Sequence, residues 1–135
     1  MSLAVRKLAE ALDRVAAAMD AESAAVRSGA RNGLGEAAER KRLAIHAAEG
    51  ILGQAEGTPR AAGPAERARL EQAAQRMQAA ATRNAAALQG ALEGTRRLFA
   101  CLAEAAQQAS STGTYGPDGS LRRTAETVGT IHRSA

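Results

Sequence analysis

The sequence predicts an all-α protein: an elongated antiparallel three-helix bundle of coiled-coil character, with a long third helix and a flexible C-terminal tail. Three observations carry this. Of 135 residues, 36 are alanine and only Phe99 and Tyr115 are aromatic, which favours helix-on-helix packing and leaves little from which to build a sheet. Three stretches repeat apolar residues in alternating steps of three and four, the seam spacing of helices packed lengthwise. Turn-forming glycine and proline separate those stretches, and aliphatic residues thin out after Ser110.

The first helix is expected over residues 2–28. Val5, Leu8, Leu12, Val15, Met19, Glu22 and Val26 form its seam, while Arg6, Lys7, Asp13, Arg14 and Asp20 fall off it. Ser28-Gly29 supplies the glycine that helices favour just past their ends. Three glycines and Asn32 between Ser28 and Gly35 read as a turn that reverses the chain and caps the next helix. That second helix is expected over 34–53, antiparallel to the first, with Leu34, Ala38, Lys41, Ile45, Ala48 and Leu52 on its seam and Leu43 and Ile51 widening the stripe. Gly53 to Gly63, with three glycines and Pro59, reads as a loop.

The third helix is expected over 64–110, opening with Pro64 at its first position and Glu66 in its first turn. Its seam reads as Leu70, Ala74, Met77, Ala81, Asn84, Leu88, Ala91, Thr95, Leu98, Leu102, Ala105 and Ala109, of which five are alanine and two polar. At about 1.5 Å per residue it is roughly 70 Å long, against about 40 Å and 30 Å for the other two. It is therefore expected to outrun them from about residue 90, leaving Leu92, Leu98, Phe99 and Leu102 in water unless a client, a second copy or the tail covers them. A bend at Gly90 or Gly94 is the alternative, folding the cluster back into the core. Residues 1–110 thus form one helical domain. Residues 111–135, with four glycines, Pro117 and Leu121, Val128 and Ile131 as the sole aliphatics, read as a disordered tail.

The charge balance, 18 basic to 14 acidic residues for a net +4, is spread along the helices. Arg40-Lys41-Arg42, the densest run, reads as a solvated helix face in preference to a phosphate-binding patch, and no nucleic-acid partner is expected. His46 and His132 stand apart, with no cysteine near either and no ligand pair at helical spacing, so no metal or other cofactor is expected. No nucleophile–base pair and no phosphate-cradling glycine loop is present, and the chain reads as not an enzyme, without catalytic residues. Cys101, the single cysteine, suits a reducing compartment and reads as an inert buried thiol. No run approaches the roughly 20 apolar residues of a membrane span, and the N-terminus lacks a signal-peptide stretch, so a cytosolic protein without direct membrane insertion is expected.

Tyr115 heads Thr114-Tyr115-Gly116-Pro117-Asp118-Gly119, in which Gly-Pro-Asp-Gly suits a β-turn with Pro117 presetting the first corner. It reads either as a tail turn with an incidental tyrosine or as a short docking motif, and composition does not choose between them. With Tyr115, Gly116 and Gly119 in the tail, Met19-Asp20-Ala21-Glu22 late in the first helix, a Gly/Asn turn and Lys41 central in a leucine-bearing second helix, the sequence resembles the FlgN family of bacterial flagellar export chaperones. The resemblance in layout spans essentially the whole chain. It implies a protein of the bacterial cytoplasm that binds terminal helices of the hook-associated junction proteins, keeps them unassembled and delivers them to the cytosolic domain of an export-gate membrane protein. It implies docking on the export platform by Tyr115, Gly116 and Gly119, while the overhang argument offers the exposed cluster Leu92, Leu98, Phe99 and Leu102 as the surface on which a client helix would lie. A homodimeric helical-bundle interaction protein without a secretion client is the alternative reading.

Overall fold

A computed structural model of the chain describes residues 2–29, 31–55, 58–111, 114–115 and 121–122. Its helices are α1 (Leu3–Ser28), α2 (Arg31–Gln54), the single turn α3 (Thr58–Ala61) and α4 (Pro64–Ser111). The fold is all-α, with helices packed on one another. The chain divides into two compact units, Met1–Ala91 and Leu92–Ala135, and α4 contributes residues to both.

In the first unit, local chemistry sets each helix end. Ser2 caps α1 through its hydroxyl, which accepts from the Val5 N–H at 3.2 Å. Gly29 ends it in the left-handed region at φ 66°, its N–H bonded to the Val26 carbonyl at 3.3 Å. One left-handed glycine replaces the broad turn expected over 28–35: α2 starts at Arg31, and Asn32, Gly33 and Gly35 are helical. Glycine in a helix interior costs only about 1 kcal/mol relative to alanine, so it does not by itself end a helix. For the same reason Gly50 and Gly53 are helical, and the expected loop from Gly53 to Gly63 is interrupted by α3. Gly63 caps α4, Pro64 occupies its first position, and the Glu66 carboxylate accepts the Gly63 N–H at 3.2 Å. The same carboxylate accepts the Ser2 N–H, so one side chain ties together the starts of α1 and α4.

The packing has α1 as its shared helix. Val5, Leu8, Val15 and Glu22 of its expected seam are buried, as are Ala9, Ala16 and Ser23 one step round. The α1–α4 bonds keep a nearly constant offset: Asp13 with Arg76 and Asp20 with Arg83 are each 63 residues apart, nine heptads. A constant offset is the mark of parallel helices, whereas Glu22 meeting Lys41 while Leu12 and Leu52 line one groove makes α1 and α2 antiparallel. That register sets Ala9 and Ala16 beside Ala73 and Ala80, all buried, with Ala73 and Ala80 fully so. Small residues on both helices let the backbones approach closely.

The α4 seam therefore differs from the one expected. Its inward line in this unit runs Leu70, Ala73, Met77, Ala80, Asn84 and Ala87, whereas Ala74 and Leu88 are exposed. Runs such as Ala73-Ala74 and Ala79-Ala80-Ala81 give adjacent positions the same side chain, so hydropathy cannot say which of them faces in.

In the second unit α4 is helical without interruption past Gly94 to Ser111, and Leu92, Leu98, Phe99 and Leu102 are 51–61 % exposed. Cys101 is also exposed, contrary to the buried thiol expected, because it lies on a segment whose residues from Ala91 to Leu102 are all exposed. Beyond α4, β1 (Thr114–Tyr115) pairs antiparallel with β2 (Leu121–Arg122), Tyr115 opposite Leu121. Of the tail residues singled out in the sequence, Gly116, Pro117, Asp118, Gly119, Val128 and Ile131 lie outside the described residues, and with them the expected β-turn.

Candidate functional site

Three features of the described residues have the geometry of a working site or of its support. The first is a polar layer across the three helices of the first unit. Within this unit each seam carries one polar residue, Glu22 on α1, Lys41 on α2 and Asn84 on α4, and the fold brings all three together. The Lys41 Nζ donates to Glu22 Oε1 at 2.8 Å and to Asn84 Oδ1 at 3.2 Å. The Asn84 amide nitrogen shares its hydrogens among Glu22 Oε1 at 3.1 Å, the Ser23 hydroxyl at 3.2 Å and the Met19 carbonyl at 3.2 Å. Ser23 donates in turn to the Met19 carbonyl at 2.9 Å. Glu22, Ser23 and Asn84 are nearly inaccessible, while the Lys41 side chain keeps 23 % exposure along its stem.

Among the described residues no buried side-chain nitrogen or oxygen lacks a partner. Such a layer fixes register, since sliding any one helix by a heptad would strand the other two polar groups in apolar surroundings. The signal was present in the sequence as one polar residue per seam. What the sequence did not show was that the three fall at one level, which depends on connection lengths.

Flanking the contact of α1 with α4 are charge pairs at seven-residue spacing. Asp13 lies 2.9 Å from Arg76 and 3.6 Å from Arg69, and Asp20 binds Arg83 through two bonds of 3.0 Å. The Arg83 guanidinium holds the Asp20 carboxyl below its ordinary value. The Ser2 and Gly63 N–H groups do the same to Glu66.

The second feature is an apolar groove of about 350 Å³ between α2 and α4, floored by α1. Leu12, Val15 and Met19 form its base, Ile45 and Leu52 one wall and Met77 the other. It arises because α2 contributes a single buried residue, Ala37, and leaves Leu34, Leu43 and Leu52 exposed. Sequence reasoning assigned these seam residues to a closed core and did not see the groove.

The third feature is the α4 face in the second unit. At 100° per residue, Leu92, Leu98, Phe99, Leu102, Ala105 and Ala106 fall in an arc of about 140°, with Glu93, Arg96, Arg97 and Glu104 across from them. The four large side chains of this face are the expected client residues, and the structure places them together on one exposed stripe. Tyr115, the expected docking residue, stands in β1, at the start of the hairpin-like pairing with β2.

Among the described residues no helix is long and apolar enough to cross a membrane, and no three His, Cys, Asp or Glu side chains converge as metal ligands would. No family model, no curated protein and no solved structure matches the chain.

Proposed function

We propose that the protein is a helix-binding export chaperone of the flagellar type, acting in the bacterial cytoplasm on hook-associated junction proteins and handing them to the cytosolic domain of the export gate. The observation that carries this reading is the α4 stripe of Leu92, Leu98, Phe99 and Leu102, each more than half exposed on one face of the helix. Left in water, each such side chain forgoes about 1.5–3 kcal/mol of burial, which an amphipathic client helix would recover by laying its apolar face along the stripe. Tyr115 then serves delivery. Its ring is the largest apolar group in a tail poor in hydrophobic residues, and burying it in a receptor groove would contribute on the order of 2 kcal/mol, enough for a reversible contact.

The test separates the two surfaces by titration calorimetry with a purified junction protein and the gate's cytosolic domain. Leu98→Asp with Leu102→Asp is expected to abolish client binding while circular dichroism and melting stay like the parent's. Tyr115→Ala is expected to keep client affinity and to weaken the loaded complex toward the gate. Unfolding of the double variant, or an alanine variant impaired toward the client alone, would overturn the assignment.

A further inference from the structure

The exposed stripe in the second unit has a pattern that complements itself. With Leu98 and Leu102 as successive seam positions, the flanking positions are Leu92, Phe99 and Ala106 on one edge and Gly94, Cys101 and Gln108 on the other. No charge falls on the seam or on either edge: Glu93, Arg96, Arg97 and Glu104 all lie farther round. A helix whose seam is apolar apart from Thr95 and whose edges are both uncharged is suited to a helical neighbour.

Running this segment against itself in opposite directions, with residue numbers summing to about 200 at each level, matches the side chains closely. Leu98 meets Leu102 of the second copy, and Leu102 meets Leu98. On one edge Phe99 packs on Phe99 and Leu92 on Ala106, and on the other Cys101 stands opposite Cys101. Outside the cysteine edge Arg97 comes beside Glu104 of the second copy, twice by symmetry. A parallel pairing sets the cysteine edge against the Leu92, Phe99 and Ala106 edge of the second copy, so Arg97 and Glu104 of the two copies lie on opposite sides of the pair and gain no such partner. In the single chain Arg97 is engaged by Glu93 at 3.8 Å and its side chain is still 80 % exposed, so it is available for such a pair.

We propose that residues 92–109 of α4 form an antiparallel, two-fold symmetric interface with the same segment of a second copy, centred on Ala100. The four large side chains offer on the order of 400 Å² per protomer, below the roughly 800 Å² per partner of a stable specific interface, so the dimer is weak and reversible. Its existence does not depend on the chaperone reading. Where a client uses the same stripe, client and second copy exclude each other.

Sedimentation equilibrium of the full chain under reducing conditions should show a monomer–dimer equilibrium in the micromolar range. Mild oxidation should then link Cys101 to Cys101 as a dimer on a non-reducing gel. Cys101→Ser is expected to abolish the link and leave the sedimentation dimer intact. Arg97→Glu, which turns two attractive pairs repulsive, should weaken association about tenfold, and adding Glu104→Arg should restore it to within about threefold. Three outcomes would overturn the proposal: a monomer throughout the micromolar range, a dimer insensitive to Leu98→Asp with Leu102→Asp, or a double charge variant as weak as Arg97→Glu alone.

Discussion

The two halves of α4 invert the usual relation between side-chain size and burial. From Pro64 to Asn84 the buried positions are Ala73, Ala80 and Asn84, small or polar; from Leu92 to Leu102 the helix carries three leucines and a phenylalanine, all exposed. In the first half, burial comes from close approach to α1, which only small side chains permit, and from a satisfied polar layer. In the second half nothing described covers the large side chains. Packing stability resides where the residues are small, and both proposed binding roles fall where they are large.

The sharpest way to break this comparison is at the polar layer. Lys41→Met leaves the Glu22 carboxylate buried without its cation and removes the donor to Asn84 Oδ1. Uncompensated buried charge typically costs 3–5 kcal/mol, and the 23 % exposure of Lys41, which admits some water, places the expected loss at about 3 kcal/mol in a urea titration. Replacing Glu22, Lys41 and Asn84 together by leucine should recover most of that stability while broadening the amide spectrum, because nothing then pins the register. A single variant as stable as the parent would show that the layer is not buried in solution.

Next in size is the alanine contact. Ala73→Leu forces a large side chain into a fully buried site and should destabilise by about 1–3 kcal/mol, whereas Ala74→Leu, at the neighbouring exposed position, should stay within about 0.5 kcal/mol. Equal losses at the two positions would return the seam to the line read from the sequence.

How much of this was legible in the sequence follows from what each signal measures. Period and caps revealed the three long helices, because Val5, Leu8 and Val15 differ strongly from Arg6, Lys7 and Arg14, and because Pro64 and Gly29 have few other uses. The level at which helices meet was not legible. Glu22, Lys41 and Asn84 could each be placed on a seam, but their convergence depends on the lengths of the turn after Gly29 and of the passage through α3. The α4 register failed for a different reason: Ala73 and Ala74 are chemically identical, and only the partner helix distinguishes them. The exposed stripe was legible because it depends on helix length, which simple rise per residue supplies. Cys101 is exposed where burial was expected because cysteine is buried on average, a tendency that carries no information about one particular helix face.

The smallest effect concerns pH, and it too divides the two halves. Asp20 and Glu66 both belong to the α1–α4 contact, and both are held below the ordinary carboxylate range, Asp20 by Arg83 and Glu66 by the Ser2 and Gly63 N–H groups. In the unfolded chain they return to values near about 4. Between the depressed native values and the unfolded ones, the unfolded state therefore binds more protons, so stability falls as pH drops through that window. Above about pH 5 both states are ionised and these groups contribute no further slope. Because Asp20 is exposed and Glu66 partly so, the effect is a modest decline in denaturation midpoint as pH falls below the unfolded-chain values, partly screened by salt where Arg83 is the cause and less so where N–H groups are. Asp20→Asn and Glu66→Gln should each flatten part of that decline, and only the first should also lose salt sensitivity. Self-association through residues 92–109 keeps its uncharged seam and edges under acid and depends on charge only through Arg97 and Glu104. A parent acid slope retained in both variants would mean that other carboxylates carry it, and that the ties between the starts of α1 and α4 are not what acid loosens first.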